Sequence, residues 1–130
     1  MSISVCWDDE AKTIIRWDFS EKWTWDEFHE AFHISLDMGK DICYRLDVIP
    51  NATLSPNMPV GALSEFKRLD AQLPNTVALI VVAGSSSFTR SMIELFGKIY
   101  RIDSWRTAKT VDDAREYILK HRQKTQDLSA

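Results

Sequence analysis

Three groups of residues in this chain have the types and spacing to do chemistry. The first is His29-Glu30-Ala31-Phe32-His33. On a helix, side chains at i and i+4 share a face, so the two histidines have the spacing to hold one zinc ion with Glu30 as general base. A working site of that kind needs both histidines turned into a walled cleft and a third protein ligand. At about 100° per residue, the apolar arc of such a helix holds Phe28, Ala31, Phe32, Ser35, Leu36 and Met38. His33 falls with Asp26, Glu30 and Asp37 on the polar face, and His29 lies at the boundary. The one remaining histidine is His121. The pentapeptide is therefore expected to be a solvated helix face, with no metal site, and a zinc hydrolase is the remote alternative.

The second group is Gly84-Ser85-Ser86-Ser87, which follows an apolar run and opens a helix, with Arg90 one turn in. A helix N-terminus offers free N–H groups and partial positive charge, which suits a phosphate or carboxylate. The lysine and glycine spacing of a P-loop is missing, so the competing expectation is that Ser86 or Ser87 simply caps the helix. Opposite this turn the chain places Asp47 and the loop 51–59, which carries Thr53 and Ser55. Ligands of open α/β sheets gather outside the carboxyl ends of the parallel strands. The candidate ligand or partner site is therefore Asp47, Thr53, Ser55, Gly61, Ser85, Ser86, Ser87 and Arg90. The third group is aromatic: Trp7, Trp17, Trp23 and Trp25 fall within twenty residues. Most should be core, and any left half-buried would mark an interface or an apolar ligand pocket. No G-x-S-x-G turn, no cysteine with a histidine partner and no carboxylate pair in an evident cleft is present. Neither an enzyme activity nor a cofactor is expected.

The elements that must position these residues follow from periodicity. Residues 3–7 and 13–19 alternate, with Asp8-Asp9-Glu10 as a polar turn between them, and predict an antiparallel hairpin. Thr24 with Glu27 predicts a capping box, flanked by Trp23 and Phe28 as a hydrophobic staple. That helix should run to about Met38, with Gly39 as its C-terminal cap. Residues 43–49 predict a third strand, ending in a loop with three prolines and two asparagines that should hold no regular structure. A second helix is expected over 61–73, with Leu63, Phe66, Leu69 and Leu73 on one side. The apolar run 77–83 predicts a strand covered on both faces. Its helix should bury Phe88, Met92, Leu95, Phe96 and Ile99. A fifth strand over 105–108 and a last helix complete the chain; Thr110 and Asp113 cap that helix, which carries Val111, Ala114, Tyr117 and Ile118 and runs to about His121. The order ββαβαβαβα makes strands three to five parallel and gives an α/β fold with a small mixed five-stranded sheet. One domain over 1–123 and a frayed tail over 124–130 are expected.

Composition narrows the classes. The 130 residues carry a net charge of −3, with 45% apolar residues. That charge, without a lysine–arginine cluster, argues against nucleic acid as a partner. No apolar run reaches the roughly 20 residues that span a bilayer, and the first ten residues lack the pattern of a signal peptide, so a cytoplasmic protein without a transmembrane segment is expected. Cys6 and Cys43 lie in apolar strand-like segments, where buried reduced thiols are expected.

This element order resembles the STAS-like (SpoIIAA-like) fold of anti-sigma-factor antagonists, over nearly the whole chain. The residues that carry the resemblance are the opening hairpin, the long first helix, and Arg45-Leu46-Asp47 leading through an irregular loop to Gly61-Ala62-Leu63. The capped last helix Thr110-Val111-Asp112-Asp113-Ala114 belongs with them. FSEKWTWDEFHEAF and SSFTRSMIELFGKIY are similar to an uncharacterised bacterial subgroup of that fold. The resemblance implies a regulatory, non-enzymatic protein-interaction module, binding a protein partner or itself as a homodimer through the loop after strand three and the helix that follows. Signalling members carry a phosphorylatable serine or threonine where that loop meets its helix. Here the junction reads Met58-Pro59-Val60-Gly61-Ala62, with no hydroxyl, which argues against a phosphorylation switch. A small-ligand binder, for an anion, a nucleotide or a lipid, is the alternative.

Overall fold

The structure, a computed structural model, describes residues 2–129, with side chains through residue 125. Its elements are β1 (Ile3–Trp7), β2 (Ile14–Phe19), α1 (Trp25–Gly39), β3 (Leu46–Asn51), α2 (Ala62–Asp70), β4 (Val77–Ala83), α3 (Ser87–Tyr100), β5 (Trp105–Ala108) and α4 (Val111–Ser129). The five strands form one sheet in the order β1-β2-β3-β4-β5. β1 runs antiparallel to β2, and β2 to β5 are parallel. Each crossover steps one strand further in the same direction, so right-handed connections place α1, α2 and α3 on one face. α4 leaves the edge strand and takes the other.

The two faces are two cores. On the three-helix face Trp17, Val48, Ile80, Val82 and Trp105 pack against Phe28, Phe66 and Phe96. On the other face Ile49, Leu79 and Val81 pack against Ala114 and Ile118 of α4. The strand run 77–83 is covered on both sides, which is why it reads as continuously apolar.

The start of α1 forms as its residues dictate. Thr24 accepts the Glu27 N–H while the Glu27 carboxylate accepts the Thr24 N–H, and the Trp23 ring stacks on Phe28 at 5.8 Å. Its end differs from expectation. Gly39 is still helical and Lys40 follows in a right-handed conformation, so Gly39 is no left-handed cap. It is small because a Cβ there would stand 3.0 Å from Leu46 Cδ1.

Other boundaries shift for stated reasons. β3 begins at Leu46, three residues late, which leaves Cys43 exposed and outside any strand, while Cys6 in β1 is half-buried. Neither thiol is fully buried. β3 continues through Pro50 to Asn51, where the loop was expected, because Trp17 and Asp18 of β2 still pair with those positions. α2 is shorter than 61–73: Gly61 sits before it at φ 96°, and Leu73 lies beyond it in a turn. α4 extends to Ser129, so positions 124–129 are helical; position 130 of the expected tail lies outside the described residues. None of the described helices is long and apolar enough to cross a membrane.

Acidic side chains lock the hairpin and α4 together. Asp8 accepts from Arg16 Nη1 at 2.6 Å and from Arg115 Nε and Nη2 at 2.8 and 2.7 Å. The Arg115 hydrogen bond, against the cost of burial and with Arg16 assisting, holds the Asp8 carboxyl below the ordinary aspartate range. A carboxylate whose native pKa is depressed stabilises the fold above its unfolded pKa and loses that contribution as pH falls through the native value. Thermal unfolding of wild type and Asp8→Asn should therefore differ most from about pH 5 upward and converge as the pH falls through and below the ordinary aspartate range. Curves that stay parallel down to pH 2 would show that the carboxylate charge does not hold α4.

Candidate functional site

The two loops expected to form the walls of a site do meet. Residues 52–61 link β3 to α2, and residues 84–86 link β4 to α3, both at the carboxyl edge of the parallel strands. Ala52 N–H donates to the Ala83 carbonyl at 2.8 Å, and Gly84 N–H donates to the Ala108 carbonyl at 3.1 Å. Gly84 takes φ +70°, and a Cβ there would stand 2.8 Å from Thr53 Cα and 3.0 Å from Thr53 N. Only glycine fits both the dihedral and the approach.

The hydroxyls at this edge serve the loops themselves. Thr53 donates through its N–H and Oγ1 to Asn51 Oδ1 at 3.2 and 2.6 Å. Ser86 is the N-cap of α3, accepting the Thr89 N–H at 3.3 Å. Ser87 accepts from Arg90 Nη2 at 3.1 Å, with both residues exposed. Among the described residues, Ser85 Oγ is the one buried side-chain polar atom without a hydrogen-bond partner. Ser55 is buried, accepts Trp23 Nε1–H at 2.7 Å and donates to the Asn57 carbonyl at 3.3 Å. Gly61 turns the chain into α2 without any side-chain cap.

Asp47 does not belong to this edge. Because β3 starts at Leu46, Asp47 lies at the opposite, amino end of the strand, and it is fully buried. Its carboxylate accepts from Arg45 Nε and Nη2, both at 3.1 Å, from Arg122 Nε at 2.8 Å and from Leu79 N–H at 3.0 Å. Arg122 also donates to Thr13 Oγ1 and to the Thr13 carbonyl, each at 3.0 Å. The group is a clamp between α4 and the sheet, with no lone pair facing solvent.

The H-E-x-x-H segment also resolves. Phe28, Ala31, Phe32 and Ser35 form the buried face of α1. His29 Nε2 contacts Glu65 Oε2 of α2, and His33 is exposed. No group of three His, Cys, Asp or Glu side chains among the described residues is placed to hold a metal ion.

Two features were not foreseen. The first is on α3. The face against the sheet is Thr89, Ile93 and Phe96, not the expected stripe, of which only Phe96 is buried. Phe88, Leu95 and Ile99 are 63%, 43% and 53% exposed, and Met92 is half-buried between them. α3 is apolar over two adjacent faces, and one sheet contact can cover only one. The double width was visible in the sequence; which half faces out was not. The second is an apolar cavity of about 60 Å³ in the three-helix core, bounded by Trp17, Val82, Phe66, Ile93 and the loop residues Ser55 and Met58. Cores pack without such voids, and at about 24 cal/mol per Å³ an empty space of this size forfeits about 1.4 kcal/mol. Its only forewarning in the sequence was the aromatic cluster.

The tryptophans divide between core and edge. Trp17 and Trp105 are buried, with Trp17 Nε1–H donating to Ser35 Oγ at 2.6 Å and Trp105 Nε1–H to Asp70 Oδ1 at 2.9 Å. Trp23 and Trp25 are half-buried, edge to face at 4.9 Å, and Trp25 Nε1–H donates to the Val60 carbonyl at 2.8 Å. Comparison of the chain with family models, with curated proteins and with solved structures finds no match.

Proposed function

We propose that this chain is a non-enzymatic protein-interaction module of STAS-like fold that docks an amphipathic helix of a partner on α3. The observation that carries the reading is the apolar stripe Phe88-Met92-Leu95-Ile99, of which Phe88, Leu95 and Ile99 are exposed and Met92 is half-buried. Its 4-3-4 spacing is that of a helix-packing seam, and the 11 steps from Phe88 to Ile99 rise about 16 Å. Helix-in-groove recognition uses anchors at this spacing. The STAS-like reading rests on the element order and the sheet order β1 to β5.

Charge selects the partner. At about 100° per residue Lys98 borders the stripe, while Glu94 lies further round the helix. Lys67 of α2 lies 5.3 Å over the ring of Tyr100, next to Ile99. A second copy would bring the same lysines to the seam, and like charges at helix borders repel. A partner helix with acidic residues bordering its apolar face fits better than self-association through this surface.

The test places a photo-crosslinking side chain at position 95, with the same group at Glu116 on α4 as control. Capture of one helix-bearing partner from position 95 alone is expected. Calorimetry with that helix should then show Leu95→Asp and Ile99→Asp each weakening Kd at least 50-fold. Because both side chains are about half exposed, either substitution should cost no more than about 1 kcal/mol of unfolding stability. Equal capture from both positions, or unchanged Kd in both variants, removes the reading.

A further inference from the structure

The apolar cavity lies on the other side of the α2–α3 layer from the exposed stripe, and it has its own access. Its roof is the loop 52–61, contributing Ser55 and Met58. Two indole N–H groups preceding and opening α1 hold that roof down: Trp23 Nε1–H to Ser55 Oγ at 2.7 Å and Trp25 Nε1–H to the Val60 carbonyl at 2.8 Å. Between these two points the loop is fixed by the Ser55 Oγ bond to the Asn57 carbonyl and by Met58 against the core. Leu54, Pro56, Asn57, Val60 and Gly61 are exposed, with Leu54 at 70% and Val60 at 97%. The floor and walls are the sheet and three helices, which pack as one core.

We propose that this cavity is a binding site for a compact, uncharged apolar ligand, closed by a lid of residues 54–60 that the Trp23–Ser55 hydrogen bond latches. The chemistry of the lining sets the ligand class. Its side-chain oxygens already have partners: Ser55 Oγ accepts from Trp23 and donates to the Asn57 carbonyl, and Thr89 Oγ1 accepts from the Ser86 hydroxyl. No charged side chain lines it. A carboxylate or phosphate inside would lose its hydration with nothing to replace it. An aromatic or small alicyclic ring loses nothing, and the rings of Trp17, Phe28 and Phe66 offer edge and face contacts. Empty apolar cavities stay dry and take up benzene or xenon. The volume of about 60 Å³ accepts a xenon atom directly, whereas a six-membered ring requires the roof to lift.

The experiment uses the full chain with labelled methyl groups and three probes: xenon under pressure, benzene and decanoate. Xenon and benzene should shift the methyl signals of Met58, Val82 and Ile93 and leave those of Ile49 and Val81, on the opposite face, unchanged. Two variants make the result specific. Val48→Ile with Val82→Ile adds two methylenes to the wall; it should raise the melting temperature and weaken benzene binding at least tenfold. Ser55→Ala keeps the Trp23 indole in the wall and removes the hydroxyl that latches it; it should speed benzene exchange about fivefold, the factor that one net hydrogen bond of about 1 kcal/mol is worth. No shift with either xenon or benzene overturns the proposal, as does a shift that survives in the filled variant. A response to decanoate alone overturns the ligand class, because a charged head group would then have found a partner that this cavity lacks.

Discussion

Asp47→Ala should lower unfolding stability by about 3–5 kcal/mol, the range for removing one member of a buried ion pair. The carboxylate is fully buried and accepts from Arg45, Arg122 and the Leu79 N–H. Deleting it leaves two guanidinium groups, each about three-quarters buried, without their anion. It also leaves a backbone donor of β4 with no acceptor. For a chain of this size the loss corresponds to a drop in Tm of roughly 10–20 °C. Arg122 reaches Asp47 across 75 residues and also holds the Thr13 carbonyl, so α4 should loosen first. Amide exchange in α4 should then accelerate more than in α1. Replacing Asp47, Arg45 and Arg122 together by Leu, Met and Met should recover most of the loss, since an apolar set of similar volume carries no unpaired charge. A single substitution costing less than about 1 kcal/mol would show that the clamp is not what fixes α4 to the sheet.

Gly84→Ala should cost about 2–5 kcal/mol, from two separable sources. The residue sits at φ +70°, where an L side chain costs about 1–2 kcal/mol. Its new Cβ would stand 2.8 Å from Thr53 Cα, a backbone atom that cannot rotate away. Overpacking of that kind typically costs about 1–3 kcal/mol. Gly84→Asn separates the two, because asparagine tolerates the left-handed region while carrying the same Cβ. Urea unfolding should find Gly84→Asn milder than Gly84→Ala yet still destabilised by at least about 1 kcal/mol. In both variants the amide signals of residues 51–55 and 84–87 should move together, since the loops they belong to are in contact. If both variants unfold like wild type, the close approach of the two loops is wrong.

How far the sequence reached is best seen at single residues. Local signals resolved what depends on local geometry. The capping box at Thr24 and Glu27, the staple of Trp23 on Phe28 and the Ser86 cap of α3 each involve residues three to five apart, and each forms. The alternation of β2 and the apolar run of β4 match burial at Ile15, Trp17, Phe19 and Leu79 to Ala83, because a strand has only two faces; in β1 only Ile3 is buried. The candidate site was half legible. Thr53 and the 84–87 turn come together, as the carboxyl-edge rule for parallel strands requires.

Tertiary structure alone decided the rest. Asp47 read as a site residue because a polar residue near a strand end points to a ligand. A shift of three residues in the start of β3 moved it to the other end, where Arg122, 75 positions away, partners it. No local pattern encodes that pairing. α3 carries two neighbouring apolar faces, and the spacing pointed to the one with Phe88, Met92, Leu95, Phe96 and Ile99, of which only Phe96 is buried. The sheet took Thr89, Ile93 and Phe96, and Phe88, Leu95 and Ile99 were left in solvent. The cavity is likewise a property of how three helices and a loop fail to fill one volume. By itself the chain determined an α/β domain, its element order and the N-terminal caps of α1, α3 and α4, because those follow from spacing within a few residues. Which apolar surface stays open, and where the core stays empty, depends on distances between residues far apart in sequence, and only the folded arrangement sets them.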